Sequence, residues 1–509
     1  MAALVELFKD EDSDVQRSAA DALGKQSTLS ETTIAALVEL LKDEDSDVRW
    51  SAADALGKQS TLSETTIAAL VELLKDEDSF VPWSAADALG KQSTLLDATM
   101  VALLELLKDE DSYVRSFAAN TLGKQSTLLD ATIAALVELL KNEDSNVRRS
   151  AAYALGKQSM LSDATIAALL ELLKDEDSSV RWSAARAIGS QSTLSDATIA
   201  ALVELFKDED SSVRWSAADA LGKQSTLSET TIAALVELLK DEDSYVRSFA
   251  ANTLGKQSTL SDTTIAALVE LLKDEDSSVR SSAADALGTQ SKLSDATMAA
   301  LVELLKDEDS NVRSSAARAI GKQSTLSDVT MVALVELFKD EDSNVRSSAA
   351  NALGKQSTLS DAIIAALLEL FKEENSNVRW SAANALGKQS TLSDATVAAL
   401  VELLKDENSN VRSSAAYTLG KQSTLSDATM VALVELFKDE DSNVRSSAAR
   451  AIGNQSALSD KILDALGISV QPETHAQSAL YIPPIGASSQ NMFSEEKGGE
   501  VFAAMQNVA

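Results

Sequence analysis

Apolar residues recur along this chain with a helical spacing. Ile34, Leu37, Val38 and Leu41 fall at i, i+3, i+4 and i+7, the stripe of an amphipathic helix. Its start is marked either by Ser30 followed by an acid or by Thr28 with Glu31 three residues on, and the sequence leaves both caps open. The polar run Lys42-Asp43-Glu44-Asp45-Ser46 then breaks the stripe and offers Asp45 or Ser46 as the cap of a second helix. In that helix Val48, Ala52, Ala55 and Leu56 form the apolar face, and Gly57 stands where a left-handed terminating residue is wanted. No segment alternates with period two, so strands are not expected.

The pair of helices repeats. Gly24, Gly57, Gly90 and their successors run in steps of 33 residues to Gly453, fourteen positions in register. A period of this length marks a solenoid or array. Two helices so short cannot enclose a core, but stacked units bury a continuous one, and stability becomes a sum over neighbours. With packed helices roughly 8–10 Å apart, the array is expected to extend on the order of 120 Å as a curved rod.

Composition narrows the chemistry. The chain of 509 residues has no Cys and a formal net charge of -34. Disulfide scaffolds, thiolate nucleophiles and cysteine-held metals are excluded. The negative charge disfavours nucleic acid and anionic membrane surfaces as partners. No apolar run approaches the roughly 18 residues of a membrane span and no leader precedes the array, so a cytoplasmic protein is expected, the nucleus remaining open.

The segment Asp45-Ser46-Asp47-Val48-Arg49 with Ala52-Ala53-Asp54-Ala55-Leu56-Gly57 resembles the second-helix signature of HEAT-like repeats of the phycobilisome-lyase type. The Val-Arg pair recurs in twelve of the fourteen units, Val15-Gln16 and Val81-Pro82 being the exceptions. The resemblance implies an all-α, right-handed α-solenoid of tandem two-helix repeats with a 33-residue period. The period gives fourteen units over residues 1–453, the first truncated at its start, and a partial closing unit over 454–467, while the aperiodic stretch 468–509, with Pro472, Pro483 and Pro484, reads as a mostly disordered tail. Such arrays serve as scaffolds, adaptors, receptors and a few enzymes, so the resemblance alone does not fix function. Met1 aligns with Ile34 inside the first helix, so either a longer protein or a fraying first unit is expected. In large receptors such arrays are appended to signalling NTPase modules.

Comparison of the units with one another locates the variation. Most columns barely change, but the columns of Asp47, Trp50, Ser51 and Asp54 do, and their i, i+3, i+4, i+7 spacing puts them on one face of the second helix. All five Trp occupy one of these columns: Trp50, Trp83, Trp182, Trp215 and Trp380. The others hold Phe80, Tyr113, Phe117, Tyr153, Tyr245, Phe249 and Tyr417, with polar members Asp54, Asp87, Asn120, Arg186, Asp219, Asn252, Arg318, Asn384 and Arg450. The resemblance places these helices on the concave side, so the stripe is expected to face a partner there, with its aromatics as anchors. The bland alternative is that the rings fill grooves between units. Phe8, Phe206, Phe338, Phe371 and Phe437 replace Leu at the last core position of the first helix and read as packing.

Trp50 with Asp54, Trp83 with Asp87, Trp215 with Asp219 and Trp380 with Asn384 resemble the tryptophan-asparagine ladder of importin-type armadillo proteins, which hold extended basic peptides. Arg186, Arg318 and Arg450 break that pattern. They also recur at 132 residues, as does the run from Tyr113 to Thr121, which fits either duplication of a four-unit block or a ligand that itself repeats. Gly57-Lys58-Gln59-Ser60 lacks the first glycine of a phosphate loop and reads as helix termination. The lone His475 lies in the tail, and the Asp43-Glu44-Asp45 turns lack the ligand alternation of an EF-hand. Arg49 and its counterparts should form a ladder with the turn acids, at about 0–1 kcal/mol per surface pair, interrupted at Pro82. The reading is a non-enzymatic scaffold or receptor arm for another protein or peptide, without cofactor or metal, a small-molecule partner being disfavoured. Its alternatives are an acidic carrier of extended basic peptides and a lyase-like enzyme subunit.

Overall fold

A computed structural model describes residues 1–455 except Ser79, Ser93, Thr94, Leu96 and Ser126, together with Ile462. His475, the tail and the closing helix apart from Ile462 lie outside the described residues. Chain contacts divide the protein into two bodies, Met1–Gln257 and Ser258–Ala509. Each is an all-α stack of tandem two-helix repeats, and no strand occurs among the described residues.

A representative first helix is Glu31–Leu40, and its successor ends in a short 3-10 turn, Leu73–Lys75. The structure selects Ser30 as the cap, its Oγ accepting the Thr33 N–H at 3.2 Å. The second helix, Ser46–Gly57, is capped by Asp45, whose carboxylate accepts the Asp47 N–H at 2.9 Å. At Asp130–Leu139 the cap is Leu129, which offers no acceptor, a loss of about 1 kcal/mol for that helix.

Val48, Ala52, Ala55 and Leu56 are at most 1% exposed. In the first helix Leu37 and Leu41 are buried and Ile34 and Val38 half-buried. Second helices pack directly on one another from unit to unit within each body, which the run of alanines allows. Phe8, Phe338 and Phe437 are buried and Phe206 and Phe371 half-buried, as packing residues should be.

The repeated glycine has a different cause from the one expected. Gly156, Gly189 and Gly354 sit at φ of -65°, -66° and -61°, ordinary right-handed helix. Close approach is what requires them. A Cβ on Gly57 would stand 2.8 Å from Ala88 Cα, and one on Gly321 2.5 Å from Ala352 Cα. Glycine thus lets the end of one second helix touch the last turn of the next.

Two side-chain ladders cross-link successive units. Arg49 donates through Nε and Nη2 to both carboxylate oxygens of Asp76 at 2.6 and 2.7 Å, and through Nη1 to the carbonyls of Asp43 and Glu44. The same pairing joins Arg148 to Asp175, Arg181 to Asp208 and Arg214 to Asp241 in the first body. In the second it joins Arg280 to Asp307, Arg313 to Asp340, Arg379 to Asp406 and Arg412 to Asp439. The expectation of exposed surface pairs is corrected, since both side chains of the Arg49–Asp76 pair are only 10% exposed. The long arginine lies along the groove between turns. Removing one partner from such a desolvated, bidentate pair costs about 3–5 kcal/mol, far more than a surface pair. Pro82 does interrupt the ladder, and Lys75 approaches the stranded Asp109 at 3.5 Å instead. Its missing N–H falls in the first turn of Phe80–Gly90, where proline is tolerated.

The second ladder is made of glutamine. Gln59 accepts the Leu29 N–H at 3.0 Å and donates Nε2 to the Gln26 carbonyl at 3.3 Å. Gln224 repeats this with Leu194 and Gln191, and Gln389 with Leu359 and Gln356. These amides are 5–7% exposed, and each satisfies two loop backbone groups that burial would otherwise leave bare.

Candidate interaction surface

The variable columns lie on the second helices, and the structure divides them. The column of Asp47 is outermost: Phe80 and Tyr245 are 70% exposed and Tyr113 62%. The column of the tryptophans is mixed, with Trp83 and Trp380 exposed and Trp50, Trp182 and Trp215 half-buried. The column of Ser51 is not a solvent column, and the expectation that all four point outward is corrected there. Ser51, Ser84, Ser183 and Ser216 are buried between adjacent second helices. Ser84 Oγ donates to the Trp50 carbonyl at 3.2 Å, and Asn120 and Asn351 each donate to a serine of the next unit, Ser150 and Ser381. Phe117 and Phe249, the aromatics of this column, are accordingly half-buried. Alanine-mediated contact brings neighbouring second helices so close that a residue four positions from the outermost one already falls in the seam.

In the fourth column Arg186, Asn252, Arg318, Tyr417 and Arg450 are exposed and Asp54, Asp87, Tyr153, Asp219 and Asn384 half-buried. The acids are engaged by the chain's own lysines. Asp54 holds Lys58 at 2.6 Å, Asp87 holds Lys91 and Lys124 at 2.7 and 2.9 Å, and Asp219 holds Lys223 at 3.1 Å. Asp87 is kept below the usual carboxylate range, the two lysines outweighing the raising effect of burial, which is the largest single influence. The Trp-Asp pairs are therefore not open acidic slots of the kind a basic peptide would enter. Asp285 is likewise paired, with Arg318 at 3.1 Å.

Within the first body the rings interact. Trp182 meets Trp215 edge-on at 6.4 Å between centroids, and Trp215 stacks on Phe249 at 4.9 Å. Arg186 lies 5.3 Å from the Trp182 ring and Lys157 lies 5.0 Å from the Tyr153 ring, cation–π distances. In the second body Lys322, Lys355 and Lys388 follow one another at unit spacing. Burial and the charges of its two neighbours lower the pKa of Lys355. Among the described residues no group of three or more His, Asp or Glu is placed to hold a metal ion, and no helix is long and apolar enough to cross a membrane.

Sequence reasoning missed the glutamine. A signal was present: Lys gives way to Ser190, Thr289 and Asn454 in the Gly-Lys-Gln-Ser run, yet the glutamine that follows is kept in all fourteen units. A position that persists while its neighbours drift carries a constraint of its own.

The sequence matches the HEAT repeats family over residues 1–90 and, in overlapping segments, over 100–453. The chain belongs to the HEAT-repeat family. Solved HEAT-like folds agree. A structure of Kap95p, whose binding induces the switch loops of RanGDP to adopt the GTP-bound conformation, superposes with a TM-score of 0.62 at 15% identity, covering 91% of this chain and 73% of that one. A Kap95:Nup1 complex gives 0.60 at 16% identity, covering 92% and 73%. At that identity the likeness speaks for the fold alone: an all-α solenoid of tandem HEAT repeats with the 33-residue period read from the glycines. No curated protein matches the sequence.

Proposed function

We propose that this HEAT-repeat protein is a non-enzymatic scaffold, or the recognition arm of a receptor, that binds another protein along the variable columns of its second helices. The observation that carries the reading is the exposure of large rings where the fold has no use for them. Phe80, Trp83, Tyr113 and Tyr245 are 54–70% exposed, while sister units place Asn or Ser at the same positions, such as Asn146, Asn311 and Ser314. Exposed aromatics grouped on one face are the usual anchors of protein recognition. The turn acids and the arginines that follow the repeated valine are tied into caps, turns and inter-unit pairs, which supports a structural rather than a catalytic role for them. Kap95p, of similar fold, binds RanGDP and forms a complex with Nup1. In this reading the stripe lies along the inner curve, as in HEAT-like arrays generally, and the array is of the phycobilisome-lyase HEAT-like type. The buried Ile462 supports a partial closing unit over 454–467.

The test is partner capture with a variant carrying Phe80→Asn, Trp83→Ser, Tyr113→Asn and Tyr245→Asn. Each replacement is the residue of a sister unit, so the fold is kept. Recovery of the wild-type partner set should fall at least tenfold, and undiminished recovery would remove the stripe from consideration.

A further inference from the structure

The second helices Ser145–Leu155, Ser178–Ile188 and Ser211–Leu221 pack side by side, and there the sequence departs from its own repeat. Arg186 stands in the column that carries Asp54, Asp87 and Asp219, and Ser190 stands where eleven of the fourteen units carry Lys. A cavity of about 190 Å³ opens beside the shortened side chain, lined by Tyr153, Lys157, Trp182, Ser183, Arg186 and Lys223.

The cavity is built for negative charge. Lys157 and Arg186 rest on the Tyr153 and Trp182 rings at 5.0 and 5.3 Å, and among the described residues neither has a carboxylate within ion-pair distance. Ser183 is 2% exposed and its Oγ has no hydrogen-bond partner. Arg149, one turn before Tyr153, adds a further exposed cation. Lys223 is neutralised by Asp219, so the local balance is positive in a chain of net charge -34. Cations already held on ring faces lose little freedom on binding, and a carboxylate entering between them gains charge-assisted hydrogen bonds in a partly water-excluded setting. The more distant acids are screened beyond about 8 Å at physiological salt. The stacked Trp215 and Phe249 continue the surface on the next helices, an apolar floor beside the charged cavity.

We propose that this cavity captures an acidic side chain of an extended peptide whose apolar residues lie on the neighbouring rings. The inference rests on the reading of the stripe as a partner surface and reverses the polarity of a basic-peptide carrier. Calorimetric titration of the full chain with the blocked peptide Glu-Leu-Glu-Leu-Glu-Leu tests it, alongside the same peptide with Lys for Glu and inorganic phosphate alone. The Glu peptide should bind saturably and at least tenfold more tightly than the Lys peptide. Arg186→Asp, which installs the sister-unit residue and should leave the thermal melt unchanged, should weaken the Glu peptide at least tenfold. Absence of saturable binding, equal affinity for both peptides, or an unaffected Arg186→Asp variant overturns the proposal. Phosphate binding as tightly as the peptide overturns it too, in favour of a phosphate site. An unaffected Arg186→Asp variant together with lost partner capture in the exposed-aromatic variant would discard this site while leaving the stripe intact.

Discussion

Replacing Gln389 by Leu removes one rung of the amide ladder while keeping the side chain's bulk. Gln389 is 6% exposed. Its oxygen accepts the Leu359 N–H at 3.0 Å and its nitrogen donates to the Gln356 carbonyl at 3.2 Å. Both backbone groups lose their partners in the variant. A buried polar group left bare costs about 1–3 kcal/mol, so two cost about 2–4 kcal/mol after the gain from burying an apolar side chain is credited. Because repeat arrays open locally, the loss should be confined to the units on either side. Hydrogen exchange reads it directly: the Leu359 amide should exchange about 30- to 1,000-fold faster, with a lower urea midpoint. Gln26 is exposed and supplies the control, since Gln26→Leu should change the unfolding free energy by less than about 0.5 kcal/mol. If Gln389→Leu is no more destabilising than Gln26→Leu, or if Leu359 exchange is unchanged, the ladder does not hold the array as argued.

Three further outcomes follow from the same geometry. Gly321→Ala should lower stability by about 1–3 kcal/mol, because its Cβ would stand 2.5 Å from Ala352 Cα. Among the described residues a Cβ on Gly453 meets nothing within 4 Å, so Gly453→Ala should be neutral or stabilising by up to about 1 kcal/mol, as thermal melts of the pair will show. The Asp177 carboxyl is pulled down to about 2 from an ordinary 3.8, chiefly by the Ser179 and Ser145 hydroxyls. A depressed carboxyl contributes stability that is present above about pH 4 and disappears as pH falls through 2. The difference in urea midpoint between wild type and Asp177→Asn should therefore shrink across that window, and a constant difference would contradict the assignment. Asn caps the equivalent helices at Asn375 and Asn408, so the variant folds. Pro82→Arg should restore the missing rung to Asp109 and raise the unfolding free energy in urea titrations by about 1 kcal/mol, the new charge-assisted bonds outweighing the lost proline rigidity.

The helices, their order and their buried faces were legible because apolar periodicity is a local signal: Leu37 and Leu56 announce their burial within one turn of chain. What joins one unit to the next was less so. Arg49 reads as a surface charge until its partner, 27 residues on, is brought against it, and Gln59 reads as part of a helix end. Gly57 reads in sequence as a left-handed terminator although close approach to Ala88 is its cause, since a requirement for closeness leaves the same mark as a requirement for positive φ. The candidate surface was half legible. Variation between units picked out the right face, but Ser51 and Phe117 vary along a seam, and only coordinates separate a seam from an exterior. The cavity at Ser190 was visible as an exception to the Lys column, and its meaning depends on which neighbours surround the vacancy.

The ladder arginines reach 27 residues forward, as Arg49 and Arg280 do, and the ladder glutamines reach 33 residues back, as Gln59 and Gln389 do. A genetic event that adds or removes whole modules therefore hands every new neighbour a complete set of attachments. One that adds any other length orphans a guanidinium and an amide at once. Copy number becomes an inexpensive variable for such a gene, and the reach of its surface can be lengthened or shortened in evolution without redesigning a single joint.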